Sequence, residues 1–335
     1  MPLRAAFLLC AVLVLGPALR GQARLERDGW ALTLDFPAAP VADVATMPSA
    51  KGDSVADRHT LQSRDEIFLA LRMTYPVAPT STDRGMLHKE VIELVMNARP
   101  GRIRADERVD LGDYPMQRLL VEMADRRAFR EIRLVLIGSS LYFFSAEWPG
   151  GAAPPERVQR YFASIALRPD FANARAVEDR ERWREIVQGS FRLRYDATRW
   201  FRDPQPSEDP NSVILLRADE LAEAEFVTSP EKAATATMED LVIGAARESA
   251  ESVKVVRRAK KYRGSALVEE LRFTVRAEGV NYENHGYFYS GAEGTVQLRA
   301  WSPDRTFARV EGDIGELLDG LVITRGGAGA PASAR

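Results

Sequence analysis

The sequence repeats one pattern of apolar residues, and this repetition constrains the fold more than any other feature. The first copy opens with the run Trp30-Ala-Leu-Thr-Leu-Asp35, and the second opens with Phe191-Arg-Leu-Arg-Tyr-Asp196 in the same register. Such alternation of apolar and polar residues is typical of a strand with one buried face. Two copies of one element order predict two similar units, each with its own core.

Further strands are predicted after each opening strand, at residues 67–75 in the first copy and at 213–216 and 225–228 in the second. An amphipathic helix follows these strands in each copy. Spacing of i, i+3, i+4 and i+7 places apolar residues on one face of a helix. The residues with this spacing are Leu87, Val91, Leu94 and Val95 in the first copy and Met238, Leu241, Val242 and Ala245 in the second. Three strands separated by turns come next, and an amphipathic helix closes each copy.

Two anchor pairs align these three strands without a gap. Gly138 and Gly291 end the second strand, and Trp148 and Trp301 end the third. Both pairs are 153 residues apart (291 − 138 and 301 − 148). The constant offset predicts that residues 153 positions apart occupy the same place in their two sheets.

The element order predicts an α+β fold of two tandem α/β sandwich domains, each a mainly antiparallel sheet covered by helices. We place the domains at residues 24–167 and 189–325. The charge-rich segment 168–188 between them is predicted to be a helical linker. The Gly- and Ala-rich tail 326–335 has little apolar surface to bury and is predicted to be disordered.

The aromatic residue that opens each copy, the Gly in the three-stranded part and the closing helix together resemble the Mog1/PsbP-like family. The resemblance covers residues 29–167 and 189–323 and rests on element order and patterning. It implies an α/β sandwich with an antiparallel sheet. It also implies a protein-binding role, since known relatives bind proteins such as a photosystem or a small GTPase. The relatives have a single such domain, whereas this chain has two copies.

The N-terminus has the pattern of a secretory signal peptide. Arg4 precedes an apolar run from Ala5 to Leu19, which is shorter than the roughly 20 residues of a spanning helix. The small residues around Ala23 predict cleavage after that residue, so that residues 1–23, with Cys10, are removed. A retained membrane anchor is the alternative. We predict export from a bacterium, to the periplasm or the medium.

Composition excludes several classes of function. The 335-residue chain has 46 Lys and Arg against 48 Asp and Glu, which argues against general nucleic-acid binding. One Cys and three His leave no disulfide framework and few ligands for thiolate or His-rich metal sites. The sequence contains no Gly-x-Ser-x-Gly, Walker, His-Glu-x-x-His or EF-hand motif. We therefore predict no catalytic residues, no metal and no cofactor.

The densest basic run is Arg257-Arg-Ala-Lys-Lys-Tyr-Arg263. It would suit an anionic surface or a polyanion, with Tyr262 stacking on a base. The alternative, which we prefer, is a solvated edge strand whose Lys and Arg deter pairing with another sheet.

Of the three histidines, His285 is the most informative. We predict that His59 has no partner and that His88 lies at the border of a core. The offset of 153 equates His285, Tyr287 and Tyr289 with Ile132, Leu134 and Leu136, the apolar side of a first-copy strand. Buried polar tips without partners cost about 1–3 kcal/mol each. The three side chains therefore either satisfy one another in the core or line a ligand cavity, and they are the predicted ligand-binding residues.

These observations favour an exported, non-catalytic binding or scaffold protein with a protein partner in the cell envelope. They predict no nucleic-acid partner and no integral membrane segment once the signal is cleaved. The alternative function is an exported hydrolase with a site in the second domain or at the domain junction.

Overall fold

The computed structural model describes residues 22–48, 51–79, 81–124, 127–205, 207–233 and 238–324. The chain divides into two compact units, Met1–Glu181 and Arg182–Arg335. The predicted signal peptide, apart from its last two residues, and the predicted disordered tail lie outside the described residues.

The described residues of the first unit form ten strands and two helices, with a third helix at the end of the unit. In chain order these are β1 (Ala23–Leu25), β2 (Leu32–Phe36), β3 (Val41–Met47), β4 (Ser54–Gln62), β5 (Ile67–Thr74), α1 (Ser81–Ala98), β6 (Gly101–Leu111), β7 (Tyr114–Met123), β8 (Ala128–Ile137), β9 (Ser140–Pro149), α2 (Glu156–Ala163), β10 (Ala166–Leu167) and α3 (Ala174–Arg182). Seven strands form an antiparallel sheet in the order β3-β4-β5-β9-β8-β7-β6, and three form a small sheet in the order β1-β2-β10.

Both faces of the larger first sheet are covered, so its strands alternate between two apolar cores. On one face Leu34 of the small sheet and Phe162 of α2 pack in one core with Trp148 of the large sheet. On the other face α1 packs through Val95 onto Leu134 and neighbouring residues. This arrangement is a sandwich with helices on both sides of an antiparallel sheet.

The second unit has the same strand order. Its elements are β11 (Trp183–Gln188), β12 (Phe191–Asp196), β13 (Trp200–Arg202), β14 (Ser212–Arg217), β15 (Glu223–Ser229), α4 (Met238–Ser249), β16 (Ser252–Arg263), β17 (Ala266–Ala277), β18 (Val280–Gly291), β19 (Gly294–Pro303), α5 (Asp304–Asp319) and β20 (Leu321–Ile323). The large sheet runs β13-β14-β15-β19-β18-β17-β16, and the small sheet runs β11-β12-β20.

The core of the second unit lies between the large sheet, the small sheet and α5. Helix α5 contributes Phe307, Val310, Ile314 and Leu317, whose helical spacing places them on one buried face. Helix α4 covers the opposite face of the sheet through Val242 and Ile243. The predicted fold class, two α+β sandwiches with mainly antiparallel sheets, is confirmed.

The segment 168–188, predicted as a helical linker, contains more than a helix. It includes a 3-10 turn at Pro169–Phe171, helix α3 and strand β11. Strand β11 pairs with β12 along its whole length. Residues 183–188 belong to the small sheet of the second unit because Ile186 packs against that unit's core.

The sequence alignment of the two copies is wrong by one residue in the last two strands. Ile137 pairs with Ser140 across a two-residue turn in the first unit, and Gly291 pairs with Gly294 across the equivalent turn in the second. Equivalent residues are therefore 154 apart (291 − 137 and 294 − 140), not 153. Because successive strand residues point to opposite faces, a slip of one residue moves every side chain to the wrong face.

Candidate functional site

The corrected register changes which first-unit residues are equivalent to the predicted ligand-binding residues. With an offset of 154, His285, Tyr287 and Tyr289 are equivalent to Glu131, Arg133 and Val135. They therefore lie on the face of β18 that α5 covers, where Tyr287 belongs to the core. The prediction that they replace Ile132, Leu134 and Leu136 is wrong, since those residues face α1 in the first unit.

His285 and Tyr287 take part in one network of polar side chains, which we call the Glu270 cluster. Its members come from three strands and one helix: Lys261 and Arg263 on β16, Glu270 on β17, His285 and Tyr287 on β18, and Asp319 on α5. They share a face because Glu270 pairs directly with Tyr287 across the two strands.

Glu270 is the buried centre of this cluster, with 2% of its surface exposed. Its Oε1 lies 2.8 Å from His285 Nε2 and 3.5 Å from Lys261 Nζ. Among the described residues, Glu270 Oε2 and His285 Nδ1 are buried without a hydrogen-bond partner. The cluster thus contains a buried carboxylate with only one of its two oxygens hydrogen-bonded.

Tyr287 connects this centre to the helix. Its hydroxyl accepts hydrogen bonds from Lys261 Nζ and Arg263 Nη2, both at 2.9 Å, and donates one to Asp319 Oδ1 at 2.8 Å. The Arg263 guanidinium also lies 4.7 Å from the centre of the tyrosine ring and pairs with Asp319. These contacts satisfy the buried hydroxyl without a ligand.

Tyr289 has different partners. Its hydroxyl donates to Glu293, and its ring lies edge-on to Phe191 with 6.5 Å between the ring centres. The structure thus joins two of the three predicted residues through their hydrogen-bond network and gives the third its own contacts.

The protonation states of the central pair follow from burial and from their mutual contact. Burial lowers the pKa of His285, although the hydrogen bond with Glu270 opposes this effect. Burial alone would raise the pKa of Glu270, but the hydrogen bond with His285 and the charge of Lys261 outweigh it, so this pKa is lowered. At neutral pH a neutral imidazole therefore donates from Nε2 to an ionised carboxylate, and Nδ1 keeps a lone pair.

The equivalent position in the first unit carries the opposite arrangement of charge. Arg118 and Arg133 form a cross-strand pair, as do Glu270 and Tyr287 in the second unit. Glu131, at the place of His285, receives hydrogen bonds from Arg118 Nη2 at 3.1 Å and Arg133 Nε at 2.8 Å. Both oxygens of the first-unit carboxylate are therefore occupied, whereas Glu270 keeps one unpaired.

His59 has a partner, so the prediction that it has none is wrong. Its Nε2 lies 3.0 Å from Asp57 Oδ1, and Trp30 Nε1 donates to the other oxygen of Asp57 at 2.6 Å. Burial lowers the pKa of His59 more than Asp57 raises it. The sequence contained part of this signal, because residues 57 and 59 lie on the same face of a strand.

The first unit also contains an apolar crevice under α1. Its walls include Val95, Ile132 and Leu134, and its volume, including the open mouth, is about 180 Å³. His88 is on the same helix, and burial lowers its pKa. The crevice lies at the residues that the uncorrected alignment had equated with the histidine site.

Strand edges supply a second candidate surface, which the sequence analysis missed. The two large sheets end in β3, β6, β13 and β16. Strands β6 and β16 each carry six charged residues and a bulge, and β13 has only three residues. These are the features by which proteins protect an edge from pairing with another chain. The basic run 257–263 lies on β16, an edge strand as predicted.

Strand β3 has less of this protection than the other edges. It is seven residues long, has one charged residue and pairs with β4 without a register shift. Six of its seven residues are exposed. They include two large apolar residues, Val41 and Val44, which are 64% and 59% exposed. The edge offers backbone donors and acceptors to an extended segment.

Comparison with known proteins gives similarity at the level of fold only. No protein-family model and no curated protein matches the sequence. Among solved structures, cyanobacterial PsbP (CyanoP) from Synechocystis sp. PCC 6803 is similar at 8% identity, with 42% of this chain and 92% of that chain covered and a TM-score of 0.34. The immunity protein TplEi of T6SS from Pseudomonas aeruginosa is similar at 13% identity, with 88% and 96% covered and a TM-score of 0.26.

A third similar structure is the MucA/MucB complex of Pseudomonas aeruginosa, at 14% identity, with 90% and 91% of the chains covered and a TM-score of 0.17. At these identities and TM-scores no role is transferred to this chain. In the described part of the chain, no helix is long and apolar enough to cross a membrane.

Proposed function

We propose that this chain is an exported, non-catalytic binding protein whose first domain recognises a protein partner in the bacterial cell envelope. In this proposal residues 1–23 are a cleaved signal peptide, and residues 24–167 and 189–325 form two Mog1/PsbP-like domains. The open edge of β3 is the observation that carries the proposal.

Main-chain pairing on β3 would explain why this edge is less protected than the others. A partner segment in extended conformation adds an eighth strand, and the backbone hydrogen bonds supply affinity while side-chain contacts supply specificity. Each hydrogen bond contributes about 0.5–1.5 kcal/mol net. Val41 and Val44, both largely exposed, would contact apolar side chains of the partner.

Photo-crosslinking in a host that exports the protein tests this proposal. A photoreactive residue at position 44 should capture one partner, whereas the same residue at position 256 should not. Val256 is a matched control because it is 55% exposed, close to the 59% of Val44, but lies on the basic edge β16. Capture at both positions, or at neither, would contradict the assignment of β3.

A positive charge introduced on the β3 edge provides a second test of the proposal. Val44→Lys places a lysine where natural edge strands carry one, so it should abolish capture at position 41 without changing the melting temperature. Val256→Lys is the matched control and should leave capture unchanged. Loss of capture in both variants would show that net charge, not strand pairing, governs the interaction.

A polar-ligand or hydrolytic site at His285 is the second candidate, with Tyr287 and Tyr289 as its neighbours. The observation that favours it is the neutral imidazole beside Glu270, with Nδ1 unpaired. A general base needs its substrate or nucleophile within hydrogen-bond reach. Hydrolysis of simple esters by the wild type, lost in His285→Asn but kept in Tyr289→Phe, would support this site. If the wild type turns over none of these esters, they are excluded as substrates.

A further inference from the structure

The hairpin of β16 and β17 ends in exposed apolar side chains. Tyr262 and Leu267 form a cross-strand pair beside the turn and are 72% and 44% exposed. Val322 of β20, 39% exposed, lies next to the same turn, because a Cβ on Gly264 would come 3.2 Å from its Cγ1. We call Tyr262, Gly264, Leu267 and Val322 the hairpin tip. Neighbouring exposed apolar side chains of this kind form a candidate docking surface.

Two cations without an ion pair in the described part of the chain lie beside the hairpin tip, Lys260 on β16 and Arg192 in the small sheet. Strand β16 carries six Lys or Arg residues and no carboxylate, in a chain whose net charge is −2. Among the described residues, Lys260 forms no ion pair, although Glu269 lies opposite it, and it is two positions before Tyr262 on the same face of β16. Arg192, which is exposed and also forms no described ion pair, lies directly opposite Val322 in the small sheet.

Three other cations of the strand are occupied and are not available to a ligand. Arg258 forms a bidentate pair with Glu239, with one hydrogen bond to each carboxylate oxygen. Lys261 and Arg263 point to the opposite face and belong to the Glu270 cluster. On the face of β16 that carries Tyr262, the cation without a described ion pair is therefore Lys260.

The first unit provides an internal comparison. The hairpin of β6 and β7 has the same bulge and the same left-handed turn glycine, Gly112 with φ 61° against Gly264 with φ 62°. At the places of Tyr262 and Leu267 it carries Asp110 and Pro115, which also form a cross-strand pair. The apolar tip is thus a property of the second unit and is not required by the fold.

We propose that the hairpin tip docks the second unit onto an anionic lipid bilayer. Tyr262 would lie at the level of the headgroups, where tyrosine is enriched in membrane proteins. Leu267 and Val322 would enter the acyl boundary beside it. Lys260 and Arg192 would face the lipid phosphates, and positive residues near an anionic leaflet strengthen binding by about fivefold each. An apolar point with a basic rim matches a bilayer surface in both charge and polarity.

Vesicle sedimentation tests the proposal. The protein is prepared from residue 22 onward, because the apolar run 5–19 would itself bind lipid and every described contact lies in residues 22–324. The probes are vesicles of phosphatidylcholine alone and vesicles with about one-third phosphatidylglycerol. We expect binding to the anionic vesicles only, and weaker binding at high ionic strength.

Variants locate the contact. Tyr262→Ser with Leu267→Ser should weaken binding at least tenfold, because two apolar side chains no longer leave water. Lys260→Gln should weaken it about fivefold. Val41→Ser, at a side chain that is 64% exposed on the first unit, should bind like the wild type. All three preparations should melt at the wild-type temperature, since the substituted side chains are exposed.

Three results would overturn the proposal. They are the absence of binding to anionic vesicles, equal binding to both kinds of vesicle, and unchanged binding by the variant without Tyr262 and Leu267. Binding to an acidic peptide such as polyglutamate, with no binding to vesicles, would instead assign the surface to an acidic protein. None of these outcomes bears on β3, so the docking proposal and the proposed function fail independently.

Discussion

Replacing His285 with leucine should destabilise the second unit by about 2–3 kcal/mol. His285 Nε2 is 2.8 Å from Glu270 Oε1, and this carboxylate is 2% exposed. Without the imidazole, the nearest described cation is Lys261, whose Nζ lies 3.5 Å from the same oxygen. Lys261 is 40% exposed, so solvent screens its attraction. The variant thus leaves a buried charge without its one close hydrogen bond.

Removing both His285 and Glu270 should recover most of the stability that the single variant loses. A variant with His285→Leu and Glu270→Leu deletes the buried carboxylate together with its need for a partner, so its stability should lie within about 1 kcal/mol of the wild type. Calorimetry of the full chain measures both variants. The thermal transition of the first unit serves as a control, since Glu131 and its arginines are unchanged.

A single variant as stable as the wild type would show that Glu270 does not depend on His285. A double variant less stable than the single one would show that the buried carboxylate is not the source of the loss. The uncorrected alignment makes the opposite prediction for the single variant, because it places His285 at the position of Ile132, where leucine would be tolerated. This experiment therefore also tests the strand register.

Two further predictions follow from the described contacts, and a third follows from the sequence of the N-terminus. His59, His88 and His285 all have pKa values lowered by burial from the ordinary 6.5, so the folded chain binds fewer protons than the unfolded chain. The free energy of unfolding should therefore fall as the pH drops below about 6.5; equal urea midpoints at about pH 7.5 and pH 5 would contradict this. Trp30→Phe removes the 2.6 Å hydrogen bond to Asp57 Oδ2 and should cost about 1–3 kcal/mol in urea unfolding, and a loss below about 0.5 kcal/mol would show that Asp57 finds another donor. N-terminal sequencing of exported protein should begin at Arg24, and recovery of the intact apolar run in the mature protein would support a retained anchor instead.

Element types and their order could be predicted from the sequence because they depend on local periodicity. The opening strands, the amphipathic helices and the closing helices all have patterns with a period near 2 or 3.6, which the buried faces of a sandwich impose. Helix α4 illustrates this, since Leu241 and Val242 pack onto the sheet in the position that the pattern predicted.

Strand register could not be predicted, because it depends on turn geometry. The two tryptophans used as anchors are not equivalent. Trp148 pairs with Phe129 and is 1% exposed in the main core of its unit, whereas Trp301 pairs with Asn284 and is half-buried on the α4 side, with Arg299 over its ring. Two similar side chains at one offset therefore indicated an alignment that the hairpin turns contradict.

The hydrogen-bond partners of the buried polar groups could not be predicted from the sequence either. Glu270 was one of 48 acidic residues, and its contact with His285 depends on the pairing of β17 with β18. Asp57 and Trp30 are 27 residues apart in the chain. The open edge at β3 was missed for the same reason, because a strand is an edge only when its neighbours in the sheet are known.

Backbone hydrogen exchange on β3 tests the proposed function most directly. Exchange of the amides of residues 41–47 would be measured first in the free chain. It would then be measured in the complex with the partner that is crosslinked at position 44. Strand pairing predicts that alternate amides of β3 become protected, because only every second backbone N–H of an edge strand points outward. Residues 252–263 of the edge strand β16 should keep their exchange rates. Unchanged exchange on β3, or protection confined to β16, would contradict the account.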